Sequence, residues 1–285
     1  IKEVIINIVP ENPFKAFAEA NMLQIIFFAV IFGIALNMIT EGKNKLKEAF
    51  KTFNDLFLKI VEIVMYFAPF GVFFLIFKTF FLQGLEAIMD LGAYFFTVLL
   101  VLFLHMFLTY GTLIFIFTKI NIIKFYKKMR NTLIFAFSTS SSAATIPITL
   151  KTVEEDLGVN KSVASFTVPL GATINMDGTA IMQGVATVFI ANTYGIDLTY
   201  TDYLSVILVA TLASIGTAGV PGVGLIMLTM VLNQVGLPAE GIALIIGIDR
   251  LLDMTRTAVN VTGDAAISCI VGKLEKKIDL KKTNS

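Results

Sequence analysis

Polar side chains that could bind a charged solute or a cation recur within an otherwise apolar stretch, residues 241–272. On an α-helix, these side chains would fall on one stripe roughly 100° wide. The stripe contains Asp249, Asp253, Arg256, Thr257, Asn260 and Asp264. An ion pair between Asp253 and Arg256 would account for two of the charges, but it would leave the other acids unexplained. The stripe therefore predicts side chains that are paired, hydrated or bound to ligands.

A second polar interruption, NMDGT from Asn175 to Thr179, lies inside another apolar segment. Carboxylate, amide and hydroxyl oxygens, with backbone carbonyls freed from helical bonding, form sites for hard cations. The sequence has one cysteine and one histidine, so it has no cluster of the ligands that zinc prefers. The oxygen set instead fits a weakly hydrated monovalent cation such as Na⁺.

Two clusters of small residues could bind a carboxylate. The serines 140–142 and the glycine-rich stretch 216–224 offer backbone N–H groups and hydroxyls, and helix N-terminal dipoles would assist them. Arg256 could hold a second carboxylate through two parallel hydrogen bonds.

The composition predicts an integral membrane protein. Of the 285 residues, 56% are hydrophobic and 15% are charged, whereas soluble domains have about 25% charged residues. The net charge of +1 gives no reason to expect a nucleic-acid partner, and the one cysteine excludes an intramolecular disulfide. The chain starts without Met or a signal peptide, so we expect it to be a fragment.

Seven apolar segments divide the chain, and the last four are interrupted. The continuous ones cover residues 23–39, 54–82 and 85–117; the interrupted ones cover residues 131–150, 162–192, 203–235 and 241–272. A break made of small residues precedes a break made of polar residues, twice over. Paired broken helices of this kind mark the binding site of inverted-repeat transporters, and non-helical backbone at membrane depth must line a shared cavity. The alternative is that the small residues only let helices pack closely.

Lysine and arginine predict the orientation in the membrane. The basic clusters at 119–130 and 273–282 should both be cytoplasmic, which requires an even number of crossings between them. Two re-entrant helical hairpins, at about residues 124–150 and 201–236, would place the lysine-bearing loop 151–161 inside. Four full crossings would place that loop outside, so the pattern favours the hairpins.

Four motifs in order, STSSSAATIP, PLGATINMDGTA, SIGTAGVPGVG and DRLLDMTRTAVNVTGDA, resemble the dicarboxylate/amino acid:cation symporters, the glutamate/aspartate transporter family. The resemblance implies an all-α secondary transporter of acidic amino acids in the plasma membrane, driven by Na⁺ or H⁺, without covalent chemistry or an organic cofactor. It implies a partial scaffold at 1–84, which forms a homotrimer, and a moving transport domain at 85–285. The VPENPF motif resembles the fourth helix of the family, so we expect three helices to precede this chain.

The resemblance also implies residue roles. The ligand would lie between the two hairpin tips, with Arg256 on its side-chain carboxylate, Asp253 on its amino group and Asn260 on its α-carboxylate. The implied substrate-binding residues are Ser141, Ser142, Thr179, Val220, Gly224, Asp253, Arg256, Thr257 and Asn260.

Three Na⁺ sites follow from the same resemblance. The first uses Asp264 with carbonyls of Gly171, Asn175 and Asn260. The second uses the carbonyls of Thr173, Ser214, Ile215 and Thr217. The third uses Asp177 and Asn175 with residues of an earlier helix. Animal relatives carry a glutamate linked to proton cotransport where Gln183 stands, which favours Na⁺ coupling.

Other functions remain open from the residues alone. A C4-dicarboxylate carrier would use the same site without needing Asp253 for an amino group, and an ion channel would be lined by the polar stripe. An intramembrane hydrolase lacks a base near the serine cluster, because the one histidine, His105, lies in a different segment. We interpret His105 as a hydrogen-bonded or interfacial side chain rather than a proton carrier.

Overall fold

The computed structural model describes residues 9–18, 22–39, 43–67, 86–215 and 219–280, together with the single residues 70, 71, 73, 74, 77, 81 and 282. These residues form helices and connecting turns, with one isolated antiparallel bridge between Val159 and Ile278. The chain divides into two compact units, Ile1–Ala87 and Ile88–Ser285. The all-helical fold expected from the sequence is confirmed for the described residues.

Among its described residues, the first unit includes α1 (Pro13–Ala18), α2 (Met22–Met38) and α3 (Lys43–Met65). Asn12 caps α1, because its side-chain oxygen accepts a hydrogen bond of 3.0 Å from the backbone N–H of Phe14. Phe32 of α2 packs edge-on against Phe50 of α3, with ring centroids 5.1 Å apart. This aromatic contact holds the two longer helices together.

By length and composition, one helix among the described residues could cross a bilayer, the apolar run Met89–Thr118. Of the other two continuous segments predicted, the structure describes residues 23–39 in full and residues 54–82 in part. The 17 residues of α2 lie at the lower end of the length that a span needs, about 17–25 residues. Residues 54–82 begin within the lysine-bearing helix α3 and continue partly outside the described residues.

The second unit begins with one long helix interrupted by a wider turn. It comprises α4 (Glu86–Leu104), a π-helical turn (His105–Tyr110) and α5 (Gly111–Thr118). Its outer surface carries exposed Phe96, Phe103 and Phe107, which suits contact with lipid.

The first helical hairpin consists of α6 (Ile122–Thr139) and α7 (Ser142–Lys151), which continues into a second π turn, Thr152–Asp156. The chain turns at Ser140, whose φ of 52° is left-handed, and Ser141 then caps α7 by accepting from the N–H of Ala144. The break therefore falls in the serine cluster, as the sequence indicates. Pro147 does not interrupt the hairpin and lies inside α7.

The NMDGT motif separates α8 (Lys161–Ile174) from α9 (Asp177–Thr193). The second hairpin consists of α10 (Tyr200–Ile215) and α11 (Val223–Gln234), and Gly222 before α11 has a left-handed φ of 79°. Residues 216–218 at its tip lie outside the described residues.

The last helix, α12 (Ile242–Leu274), corrects the prediction that residues 241–272 are interrupted. It runs unbroken for 33 residues and packs against α5, α6, α8 and α9. It contains no proline, and its buried charged side chains, Asp249, Asp253, Arg256 and Asp264, have hydrogen-bond partners, so the backbone does not need to unwind to satisfy them. The polar stripe thereby becomes one wall of the interior of the second unit.

Candidate substrate and cation sites

The tips of the two hairpins contact each other. Ser141 Oγ donates a hydrogen bond of 2.7 Å to the carbonyl of Gly219, and the N–H of Ala143 donates to the same carbonyl at 3.1 Å. A Cβ atom on Gly219 would lie 3.0 Å from the nitrogen of Ala143 and 3.1 Å from the carbonyl oxygen of Ala172. The close approach of the tips therefore requires glycine at position 219.

A small cavity of about 10 Å³ lies behind this contact. It is lined by Ser140, Ser142, Met176, Thr179, Gly219, Val220, Gly224, Asp253, Thr257 and Asn260. Seven of these ten residues belong to the substrate site predicted from the sequence. The volume suits about one water molecule, whereas pockets for small ligands have about 300 Å³ or more. An amino acid could therefore enter only if the tips separate.

Two residues of the predicted substrate site do not line this cavity. Ser141 is used for helix capping and for the contact between the tips. Arg256 is 1% exposed and lies directly behind the cavity wall, because a Cβ on Gly224 would be 3.4 Å from its Nη2 atom.

Arg256 is held between two buried acids of its own helix. Its Nη2 atom donates to Asp253 Oδ1 at 2.9 Å, and its Nη1 atom donates to Asp249 Oδ1. The other Asp253 oxygen, Oδ2, accepts a hydrogen bond of 3.1 Å from the N–H of Gly222 at the second hairpin. Asp253 thus links the arginine to the hairpin tip.

Asp249 is a member of the polar stripe to which sequence reasoning assigned no role. The arginine pairs with both acids, so the ion pair considered from the sequence exists and includes a second partner. Because Asp249 and Arg256 are seven residues apart, close to two helical turns, their position on one face was a usable signal.

The other three predicted residues of the first cation site, Gly171, Asn175 and Asn260, lie near Asp264. Asn175 Nδ2 donates to Asp264 Oδ1 and to the carbonyl of Asn260, both at 3.0 Å. A Cβ on Gly171 would lie 2.5 Å from Asp264 Oδ1, so the backbone of α8 approaches this carboxylate closely. Asn260 in turn accepts from the N–H of Gly178 at 2.8 Å. A buried carboxylate and the carbonyl of Asn260 thus share one amide donor, and oxygen atoms of these kinds are the ligands of hard cations.

The other acid of the NMDGT motif, Asp177, lies in a separate network. Its Oδ2 atom is 2.6 Å from His105 Nε2 and accepts a hydrogen bond from the Tyr110 hydroxyl. Its Oδ1 atom is buried and has no partner in the part of the chain that the structure describes. Asn175 Oδ1 lies 3.2 Å from the same hydroxyl. Sequence reasoning assigned no role to Tyr110 and did not connect His105 with the motif.

The second predicted cation site is only partly described. Thr173 and Ile215 are exposed, and the Thr173 hydroxyl bonds to the carbonyl of Leu170 in its own helix at 2.7 Å. Ser214 is buried and donates to the carbonyl of Thr211 at 2.8 Å. Thr217 lies outside the described residues.

Gln183 is fully buried beside the second hairpin. Its Nε2 atom donates to the carbonyl of Gly224 at 3.4 Å, and its Oε1 atom is without a hydrogen-bond partner within the described ranges. The neutral amide of Gln183 therefore contacts the second hairpin at Gly224, the residue that lies between the cavity and Arg256.

This chain has an arginine buried behind two hairpin tips, with carboxylates and amides at a non-helical turn nearby. Sites at discontinuous helices are typical of secondary transporters. The chain belongs to the sodium:dicarboxylate symporter family, which matches residues 1–274. This is a transporter family, and its members are integral plasma-membrane proteins.

Several curated proteins are similar to this chain. It is 43% identical to excitatory amino acid transporter 3 of Mus musculus over 258 residues, which cover 90% of the chain and 49% of that protein. It is 38% identical to the proton/sodium-glutamate symport protein of Geobacillus stearothermophilus over 280 residues, 98% of the chain and 66% of that protein. The corresponding protein of Bacillus subtilis is 37% identical, with 96% and 64% covered. The chain thus spans about half to two thirds of the length of these relatives.

Proposed function

We propose that the full-length protein is a symporter that moves acidic amino acids, glutamate or aspartate, into the cell together with Na⁺ and/or H⁺. The observation that carries this proposal is Arg256, a buried arginine directly behind the cavity between the hairpin tips. The names of the relatives, which include glutamate and sodium, support the same substrate and coupling ion.

The acids around Arg256 suggest how a substrate would be bound. Without substrate, Asp249 and Asp253 neutralise the arginine. A substrate carboxylate that reached Arg256 would bind its guanidinium in competition with Asp253, whose carboxylate could then hold the substrate amino group. Thr179, Thr257 and Asn260 line the cavity and would bind the remaining polar atoms. Asp253 also accepts a hydrogen bond from the N–H of Gly222, so substrate binding at Asp253 would also affect the second hairpin.

Cations would bind at the two acids of the unwound region. Asp264, with oxygen atoms from Gly171, Asn175 and Asn260, suits one Na⁺, and Asp177 suits another. Asp264 is buried and Asp177 is partly buried. Because a charged carboxylate inside a membrane is energetically costly, a bound cation would stabilise each of them by neutralising its charge.

The membrane arrangement is part of the proposal. The hairpins α6–α7 and α10–α11 would be re-entrant, and the two halves of the second unit would form an inverted repeat. Residues 1–84 would belong to a scaffold that forms a homotrimer, and residues 85–285 to a transport domain that carries the bound amino acid across the membrane.

Uptake of radiolabelled aspartate and glutamate by the full-length protein in liposomes tests the function. Na⁺ and pH gradients are imposed separately, and succinate is added as a competitor. We expect saturable uptake driven by the Na⁺ gradient, the pH gradient or both, with counterflow of unlabelled aspartate. Uptake of succinate but not aspartate would indicate a dicarboxylate carrier instead, and current without counterflow would indicate a channel.

A further inference from the structure

A π-helical turn brings two side chains of the long first helix of the second unit onto the same carboxylate. In an α-helix, residues five apart would lie about 140° apart around the axis. In a π turn they are bonded across one turn and so lie nearly above one another. His105 and Tyr110 occupy the two ends of such a turn, with their rings edge-to-face at 4.9 Å. Such turns are rare and are frequently found at functional sites.

Both side chains hold one oxygen of Asp177. His105 Nε2 lies 2.6 Å from Oδ2, and the Tyr110 hydroxyl bonds to the same atom. An ionised carboxylate is only an acceptor, so both neighbours act as donors. The second oxygen, Oδ1, is buried and has no hydrogen-bond partner among the described residues. One oxygen of the acid is therefore held, and the other remains available.

The surroundings leave Tyr110 no room to move away. A Cβ on Gly263 would overlap the Tyr110 hydroxyl and Asn175 Nδ2, so the backbone of α12 presses directly on both. Tyr110 is 3% exposed. Its hydroxyl also lies 3.2 Å from Oδ1 of Asn175, the residue whose Nδ2 atom donates to Asp264.

We propose that His105 and Tyr110 are positioning residues, which the π turn places so that they hold Asp177 with its free oxygen facing a bound monovalent cation. The inference rests on the proposed cation coupling. Two charge-assisted hydrogen bonds on one oxygen fix the rotamer of the acid before the cation arrives, as outer residues do for the ligands of other metal sites. Neither residue needs to touch the cation.

The test uses calorimetry of the full-length protein to measure the Na⁺ concentration at which aspartate binding is half-maximal. Tyr110→Phe and His105→Leu each remove one donor. Because each variant loses a hydrogen bond to a charged group, we expect the half-saturating Na⁺ concentration to rise about tenfold or more. At saturating Na⁺, aspartate affinity should stay within about twofold of the parent, well below that shift. His105→Gln keeps a donor and should recover most of the loss.

Tyr94→Phe is the matched control. Tyr94 is a buried tyrosine in the same long helix, and no described residue forms a hydrogen bond with its hydroxyl. We expect its removal to leave the Na⁺ requirement unchanged. In an Asp177→Asn background, Tyr110→Phe should add nothing further, because both act through the same carboxylate.

Several outcomes would overturn the inference while leaving the proposed function standing. These are an unchanged Na⁺ requirement in both Tyr110→Phe and His105→Leu, an equal effect of Tyr94→Phe, or a full additional loss in the Asp177→Asn background. A lower melting temperature with a normal Na⁺ requirement would also overturn it, because it would indicate a purely structural role. If the parent protein itself binds aspartate without any cation dependence, the proposed coupling fails first.

Discussion

The Ser141 hydroxyl of the first hairpin donates a 2.7 Å hydrogen bond to the carbonyl of Gly219 at the tip of the second. The two residues are 78 positions apart in the chain, and their contact closes the small cavity in front of Arg256. Access for a substrate therefore depends on breaking a few hydrogen bonds at this point. The first prediction concerns this contact.

Gly219→Ala should favour separation of the tips. The added methyl group would press on the backbone of Ala143 and Ala172, where a Cβ has only 3.0–3.1 Å. Overpacking costs about 1–3 kcal/mol, or roughly a fivefold or larger rise in the open population. Spin labels at Ala144 and Val223 in the full-length protein would report longer distances without ligand.

Gly184→Ala is the control for this change, because a Cβ there meets nothing within 4 Å. The labels should then give the parent distances. Identical distances in the Gly219 variant would show that the tips do not close through this glycine.

Arg256→Cys should remove the preference for an acidic substrate. A buried carboxylate of aspartate would lose its charged partner, which lowers affinity about tenfold or more. A small neutral amino acid such as serine needs no such partner and should bind as well as or better than in the parent. Calorimetry of the full-length variant with both ligands measures the difference.

The same change also leaves Asp249 and Asp253 without their arginine. A companion variant that adds Asp249→Asn removes one uncompensated acid and should restore thermal stability without restoring aspartate binding. Aspartate affinity within threefold of the parent in either variant would contradict the role of Arg256, because the expected loss is about tenfold or more.

Asp264→Asn should weaken Na⁺ binding. A carboxylate contributes a full charge to a cation site, whereas an amide contributes a dipole. We expect a higher Na⁺ concentration for half-maximal aspartate binding and a reduced stabilisation of the protein by Na⁺ in thermal unfolding. Asp197→Asn, an exposed acid in the loop before α10, is the control and should behave as the parent. A normal Na⁺ response in Asp264→Asn would remove this acid from the cation site.

Gly158→Ala should lower stability without altering binding. Gly158 has a left-handed φ of 72°. A Cβ at this position would lie 2.6 Å from the carbonyl oxygen of Asp279 in the C-terminal segment. A left-handed residue other than glycine costs about 1–2 kcal/mol, and the collision adds to this. The melting temperature of the full-length protein should fall, while aspartate and Na⁺ affinities stay at the parent values. A changed Na⁺ requirement would mean that this segment also affects the cation sites.

The sequence determined the local features of this protein, because they depend on neighbours only a few residues away. The regular spacing from Asp249 to Asp264 places these side chains on one face of any helix. The serine cluster and the NMDGT motif lack continuous apolar helix formers, and the chain turns or unwinds at both. Four motifs in their order were enough to indicate the family.

Only the tertiary structure decided which of these features meet and whether a segment breaks. The helix α12 stays continuous because neighbouring helices bury and satisfy its polar groups, which no local pattern reveals. Tyr110 and His105 reach Asp177 across 67 and 72 positions of sequence through a π turn that leaves no signature in composition. Hydrogen bonds between distant segments form only after the helices have packed, so the packing rather than the spacing selected these partners.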